Sequence, residues 1–139
     1  MSGPLLLDTC AALWTSTPDI ALRSQAAKAV LEAEANGQAI HLSPITAWEV
    51  GQLVARGRYA LSIDPLRWFE ELLAAGLTAA PLGPDILVGA SFLPQAEALR
   101  DPADRILAAT ARIHGWTLIT RDRPLLNYAQ AGHIRAIAC

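Results

Sequence analysis

Short apolar runs alternate along the chain with stretches in which apolar residues recur at helical spacing, and breaking residues mark nearly every junction. Leu5-Leu6-Leu7 reads as a short buried strand ending at Asp8. From about Asp19 to Ala35 the residues Ala26, Ala27, Val30, Leu31 and Ala35 keep helical spacing, and Asn36-Gly37 stops that helix. Ile40-His41-Leu42 is a second strand. Ser43-Pro44 then supplies an N-cap and a first-turn proline for a helix from Ile45 to about Arg56, closed by Gly57. Asp64-Pro65 repeats that start for Leu66 to Ala75, ended by Gly76, and Leu77 to Leu82 reads as a third strand.

Gly83-Pro84-Asp85 opens a shorter helix, and Asp101-Pro102 opens one that runs to about Ile113 before His114-Gly115 end it. Trp116 to Thr120 is the best strand by β-branched content. Arg121-Asp122-Arg123-Pro124 turns it into a short helix over Leu125 to Ala131, with Gly132 as the stop and Ile134 to Ala138 as a last edge strand. Strands separated by helices need crossover connections, which are right-handed. The expected fold class is therefore α/β, with a short, mainly parallel sheet and helices on both faces.

At 139 residues the chain matches one domain, residues 1–139, against a norm of about 150 per domain. Hydrophobic residues make up 53% and charged residues 17%, which supplies a core and excludes a disordered composition. That apolar share is high for so small a chain, so part of it is expected to cover a partner or a second copy. The formal charge of −2 excludes a global basic field, so any nucleic-acid contact must be local. Lys28 is the only lysine among eleven basic residues; the planar fork of arginine suits phosphate, and a GC-rich coding background gives the same bias.

Two cysteines, Cys10 and Cys139, exclude a disulfide framework and a four-ligand zinc site and fit a reducing cytoplasm. The start lacks a basic region and puts Asp8 straight after a very short apolar run, unlike a signal peptide. No apolar run approaches the ~18 residues that span a bilayer.

The chemistry lies in four acids. Asp8 and Asp122 stand at or just after the carboxyl ends of strands, where parallel sheets bind ligands. Each also has an ordinary role open to it, Asp8 in a turn and Asp122 as a helix cap. Glu49 shares a stripe with Ile45 and Leu53, with Trp48 beside it, so a carboxylate interrupts an apolar face. Such a position demands a cation, a donor or a wet cleft, and Arg56 is one structural partner within reach. Asp104 sits likewise on a face with Leu107, Ala108 and Ala111, or serves as the N3 residue of a capping box with Asp101. Asp101 reads as an N-cap, and its i,i+4 spacing to Arg105 also allows a surface ion pair.

Four acids converging at the sheet's carboxyl edge would repel one another without a cation. Oxygen donors without His or Cys suit Mg²⁺ or Mn²⁺, whose chemistry with a phosphate ester is hydrolysis by an activated water. His41, His114 and His133 are not at ligand spacing. Arg56, Arg58, Arg105, Arg121 and Arg123 adjoin the acids and are candidates for holding RNA phosphates.

Four segments carry a family resemblance: Leu5-Leu6-Leu7-Asp8-Thr9-Cys10-Ala11-Ala12-Leu13-Trp14, Ser43-Pro44-Ile45-Thr46-Ala47-Trp48-Glu49-Val50-Gly51-Gln52-Leu53, Asp101-Pro102-Ala103-Asp104-Arg105-Ile106-Leu107-Ala108-Ala109-Thr110-Ala111 and Leu118-Ile119-Thr120-Arg121-Asp122. In that order they resemble the PIN-domain ribonucleases, and within them the VapC-type toxins of bacterial toxin-antitoxin pairs. The resemblance covers nearly the whole chain and implies a PIN-like three-layer α/β/α fold. It implies that Asp8, Glu49, Asp104 and Asp122 bind one or two Mg²⁺ or Mn²⁺ ions, with Asp101 close by and Thr120 as a hydroxyl-bearing neighbour. Asp8, Asp104 and Asp122 would hold metal directly; Glu49 would bind through water or act as general base. It further implies an endoribonuclease cutting single-stranded or loop RNA to leave a 5′-phosphate and a 3′-hydroxyl. A VapB-like antitoxin would hold it inactive, a homodimer is expected, and DNA would be met only through that antitoxin. The family is often aromatic just before Asp104, where this chain has Ala103.

Leu66, Trp68, Phe69, Leu72 and Leu73, with Val50 and Val54 nearby, form the apolar set offered to a partner, or else to the core. The rival function is a PIN-like module that binds RNA or a partner without cutting. An acid-cluster phosphatase would want a carboxylate where Cys10 stands, and a receiver domain would want paired acids after the first strand and a late lysine.

Overall fold

The three leucines of β1 (Leu5–Leu7) lie at most 1% exposed, because the strand is covered on both faces. The structure, a computed structural model, describes residues 3–16 and 24–139. Among these, β1 is joined by β2 (Ile40–Leu42), β3 (Thr78–Ala79), β4 (Thr117–Thr120) and β5 (Arg135–Ala138) in a parallel sheet of order β3-β2-β1-β4-β5.

The two-residue period of β1 divides the core. Leu5 and Leu7 pack with Leu42 and Ile119 beneath α1 (Thr9–Thr15), α2 (Ser24–Ala35), α3 (Pro44–Ala55) and α4 (Pro65–Ala74). Leu6 turns the other way and packs with Leu118 against Leu107, Ala108 and Ala111 of α6 (Pro102–His114) and Leu125 and Tyr128 of α7 (Arg123–Gln130). Between them α5 (Pro84–Ser91) docks on α6 through Ile86, Ala90 and Ala109. Each buried leucine contributes roughly 1.5–3 kcal/mol, so β1 is the most firmly anchored segment of the sheet. The result is the expected three-layer α/β/α arrangement.

From β1 the chain moves outward to β2 and β3, then returns to the other side of β1 to lay down β4 and β5. The direction of winding reverses between β1 and β4, which opens a crevice outside their carboxyl ends.

Two details differ from the sequence reading. Helix α1 was not foreseen: it has seven residues and no proline or glycine at its start, and Asp8 itself caps it. Strand β3 is two exposed residues rather than Leu77 to Leu82, since it is an edge and Pro81 has no N–H to extend the ladder. Of the helix expected from about Asp19, the part from Ser24 is present, and Asp19 to Arg23 lie outside the described residues. Of the apolar set offered to a partner or else to the core, most is core: Trp68, Phe69 and Val50 are buried, and Val54, Leu72 and Leu73 pack against them, leaving Leu66 exposed.

Candidate active site

Asp8 follows β1 at the crevice and is 5% exposed. Its Oδ1 accepts from the Ala11 N–H at 2.7 Å, and its Oδ2 accepts from the Thr120 hydroxyl at 2.5 Å. Thr120 ends the neighbouring strand β4, and its Oγ1 accepts in turn from the Asp122 N–H at 3.0 Å. Asp122 caps α7, its Oδ2 accepting from Leu125 N at 3.3 Å. Both aspartates therefore do serve as caps, and one buried hydroxyl ties them together across the switch point.

Glu49 reaches the same edge from α3. Its Oε1 accepts from the Thr9 hydroxyl at 2.5 Å, and Thr9 Oγ1 lies 3.3 Å from Thr46 Oγ1. The suggested partner Arg56 is not used: the ion pairs among the described residues are Lys28–Glu32 and Arg67–Glu71, both on exposed helix surfaces. Asp101 caps α6, accepting from Ala103 N at 2.8 Å and Asp104 N at 3.3 Å. Asp104, in the first turn of α6, shares a side-chain hydrogen bond with Asp122.

Burial, eased by the Thr120 and Ala11 bonds and reinforced by Asp122, holds the Asp8 carboxyl above its ordinary range. Burial also raises Glu49; the Thr9 bond lowers it, and Asp101, Asp8 and Asp122 raise it further. Asp104 is pushed up to about 8, by burial first and then by Asp122, Asp101 and Glu49. Five carboxylates, at the starts of α1, α6 and α7 and on α3, thus stand near one another. A hard divalent cation fits this donor set, because oxygen ligands are what it takes and its charge relieves the repulsion. No three acid, His or Cys side chains among the described residues form a group that could hold a metal ion. Mg²⁺ does not require one, since it keeps several waters and takes only one or two carboxylates.

Beside the acids lies a cleft of about 390 Å³ lined by Thr9, Trp48, Glu49, Arg56, Arg58 and Asp101, among others. The other arginines are placed differently. Arg105 forms no ion pair with Asp101; its Nε donates to Ala90 O at 2.8 Å and its Nη1 to Ala96 O and Leu99 O at 2.9 and 2.8 Å. It latches the segment after α5, which turns its guanidinium away from the RNA role expected of it. Arg121 lies over the Trp14 ring at 4.4 Å. Arg123 lines a hollow with Leu126 and Arg135, apart from the cleft. His41 and His114 stack on Trp116, and His133 stacks on Tyr128, all remote from ligand duty. No helix among the described residues is long and apolar enough to cross a membrane.

Sequence reasoning missed Thr9, which holds Glu49, and Thr46, which pairs with Thr9. The available signal was the four-residue spacing that sets Thr46 beside Val50 under the Glu49 stripe; Thr9 became visible only with α1.

Comparison with known proteins agrees with this geometry. The PIN domain profile matches residues 5–131. Ribonuclease VapC22 of Mycobacterium tuberculosis (strain ATCC 25618 / H37Rv) is 32% identical over 124 residues, covering 89% of this chain and 91% of that protein. The structure of VapBC2 from Rickettsia felis bound to a promoter DNA fragment matches with a TM-score of 0.62 and 12% identity, over 97% of this chain and 98% of the other. FitAB bound to an IR36 DNA fragment matches with a TM-score of 0.62 and 23% identity, over 96% and 94%. At those identities the solved structures show a shared fold, while the profile and the ribonuclease relative reach across nearly the whole chain. With the acids gathered at the β1/β4 switch point, the chain belongs to the PIN domain family.

Proposed function

We propose that residues 1–139 act as a single PIN domain and a divalent-metal-dependent endoribonuclease, the toxin of a toxin-antitoxin pair working in the cytoplasm. The observation that carries this reading is the gathering of Asp8, Glu49, Asp104 and Asp122 at the switch point, with Asp8 tied to Asp122 through Thr120 and Glu49 held by Thr9, in a chain related to a ribonuclease. Asp8, Asp104 and Asp122 are the residues that would hold Mg²⁺ or Mn²⁺, with Asp101 as cap and neighbour. When bound, the ion neutralises charge on the phosphate and makes water a stronger acid.

The protein's own groups do the rest. Thr120 and the Ala11 N–H fix both oxygens of Asp8, so its carboxylate is oriented before any ligand arrives. Thr9 holds Glu49 Oε1 and leaves Oε2 to take the proton of the attacking water. The raised pKa of Glu49 makes it a better acceptor at neutral pH than an exposed glutamate. Arg56 and Arg58 supply the phosphate contacts, with Arg121 at the edge of the site.

The solved neighbours VapBC2 and FitAB are described as complexes, which supports an antitoxin partner; DNA would be reached through that partner. For a homodimer the exposed residues Leu87, Val88, Phe92 and Ile113, on the packed pair α5 and α6, offer the apolar face.

The test incubates partner-free protein and Asp8→Asn with mixed cellular RNA in Mn²⁺, Mg²⁺ and excess EDTA, and maps new ends. Discrete cuts bearing a 5′-phosphate that need both metal and Asp8 are expected. A folded, metal-loaded protein that cuts none of several RNA classes would move the assignment to a binding module.

A further inference from the structure

Three of the four tryptophans have partners. Trp68 is buried and donates from Nε1 to Ser16 Oγ at 3.1 Å. Trp116 lies with His41 at 3.5 Å and His114 at 4.3 Å between ring centroids, and Trp14 lies under Arg121. Trp48 is different: it is 57% exposed and has no hydrogen-bond, ring or cation partner among the described residues. An indole left in water gives up the stabilisation that burial would bring, and nothing in the fold of α3 requires it there.

Its place defines what it fits. Trp48 precedes Glu49 on α3 and lines the cleft that also holds Arg56, Arg58 and Asp101. Neither arginine forms an ion pair among the described residues. A flat π-face and two unpaired guanidinium forks beside the acidic cluster match a ligand with planar rings and phosphates. Single-stranded nucleic acid has both, whereas a duplex hides its base faces in the stack.

We propose that Trp48 is a positioning residue that stacks an unpaired base of the RNA beside the scissile phosphate, while Arg56 and Arg58 hold backbone phosphates of the same segment. This rests on the nuclease reading and its single-stranded RNA substrate, and goes further in naming the residue that positions an unpaired base.

The test uses the full chain, Trp48→Ala and Trp48→Phe, with fold checked by circular dichroism. Binding is read by fluorescence anisotropy of a short labelled oligoribonucleotide, of the same strand carrying abasic positions, and of a duplex, in EDTA and in Ca²⁺. Loss of one stacked base is expected to weaken binding about tenfold in Trp48→Ala, with much of it restored in Trp48→Phe. The abasic strand should bind the native protein as weakly as the ordinary strand binds Trp48→Ala, and the duplex should bind more weakly than the single strand. With cleavage in Mn²⁺ the loss should fall on KM more than on kcat. Equal binding of ordinary and abasic strands, unchanged binding by Trp48→Ala, preference for the duplex, or no binding by the native protein would each overturn the proposal. So would a Trp48→Ala protein that keeps RNA binding and loses only association with a protein partner. Metal-dependent cleavage by the native protein in the same preparations stands or falls separately, so failure of the stack is distinguishable from failure of the nuclease reading.

Discussion

The two edges of the sheet are built on opposite principles, although the same buried strands run between them. At the carboxyl edge Asp8, Glu49, Asp101, Asp104 and Asp122 crowd together, and burial with neighbouring charge raises Asp8, Glu49 and Asp104. At the amino edge His41, His114, Arg112 and Arg135 all have partners. His41 contacts Leu5 O through Nδ1 at 3.1 Å and stacks on Trp116, on which His114 also stacks. Arg112 donates to His133 O at 2.7 Å and Arg135 donates to Gly115 O, so both guanidinium groups serve carbonyls around the end of α6. The amino edge contributes stability, and the carboxyl edge gives some up to keep like charges together. That contrast fits the proposed role of the carboxyl edge as a cation site.

The largest expected effect breaks the carboxyl edge. Asp8→Asn retains an N-cap oxygen but loses the charge, so metal-dependent RNA cleavage should fall by at least about a hundredfold while the fold persists. Quantified end-mapping with parallel circular dichroism checks both halves. At the amino edge Trp116→Ala should do the reverse, costing about 2–3 kcal/mol in chemical denaturation with cleavage per folded molecule unchanged. Equal loss of activity in both variants would erase the distinction between the edges.

Thr120→Val should come next. Thr120 is fully buried, and valine keeps its shape while removing the donor to Asp8 and the acceptor for Asp122 N. A loss of about 1–3 kcal/mol in stability is expected, with reduced cleavage because Asp8 is no longer held. The smallest effect is on pH. Asp104 titrates near 8 in the fold against an ordinary 3.8, so the fold takes up a proton that the unfolded chain does not. The resulting stabilisation of metal-free protein is full below about 3.8 and is lost as pH rises through about 8. The Tm of metal-free protein should therefore rise by a few degrees on acidification from the top of that window to its middle, and Asp104→Asn should flatten the trend.

Much of this was readable without coordinates, for identifiable reasons. Asp-Pro and Ser-Pro pairs announced α3, α4 and α6, because an N-cap followed by a first-turn proline leaves few alternatives. The acids stood out because charge on an apolar stripe is costly. What stayed hidden depended on tertiary neighbours. Thr9 holds Glu49 from forty residues away, and Arg105, expected near RNA, is captured by carbonyls of a loop no periodicity describes. Trp68 and Phe69 fitted both core and partner surface until the opposite wall of α1 and α2 was in place.

That the carboxyl edge is built for a divalent cation can be tested by Mn²⁺ titration calorimetry of the native protein, Asp8→Asn and Trp116→Ala. Saturable Mn²⁺ binding is expected for the native protein and for Trp116→Ala, with binding severely weakened in Asp8→Asn. No Mn²⁺ binding by the native protein, or equal binding by Asp8→Asn, would contradict it.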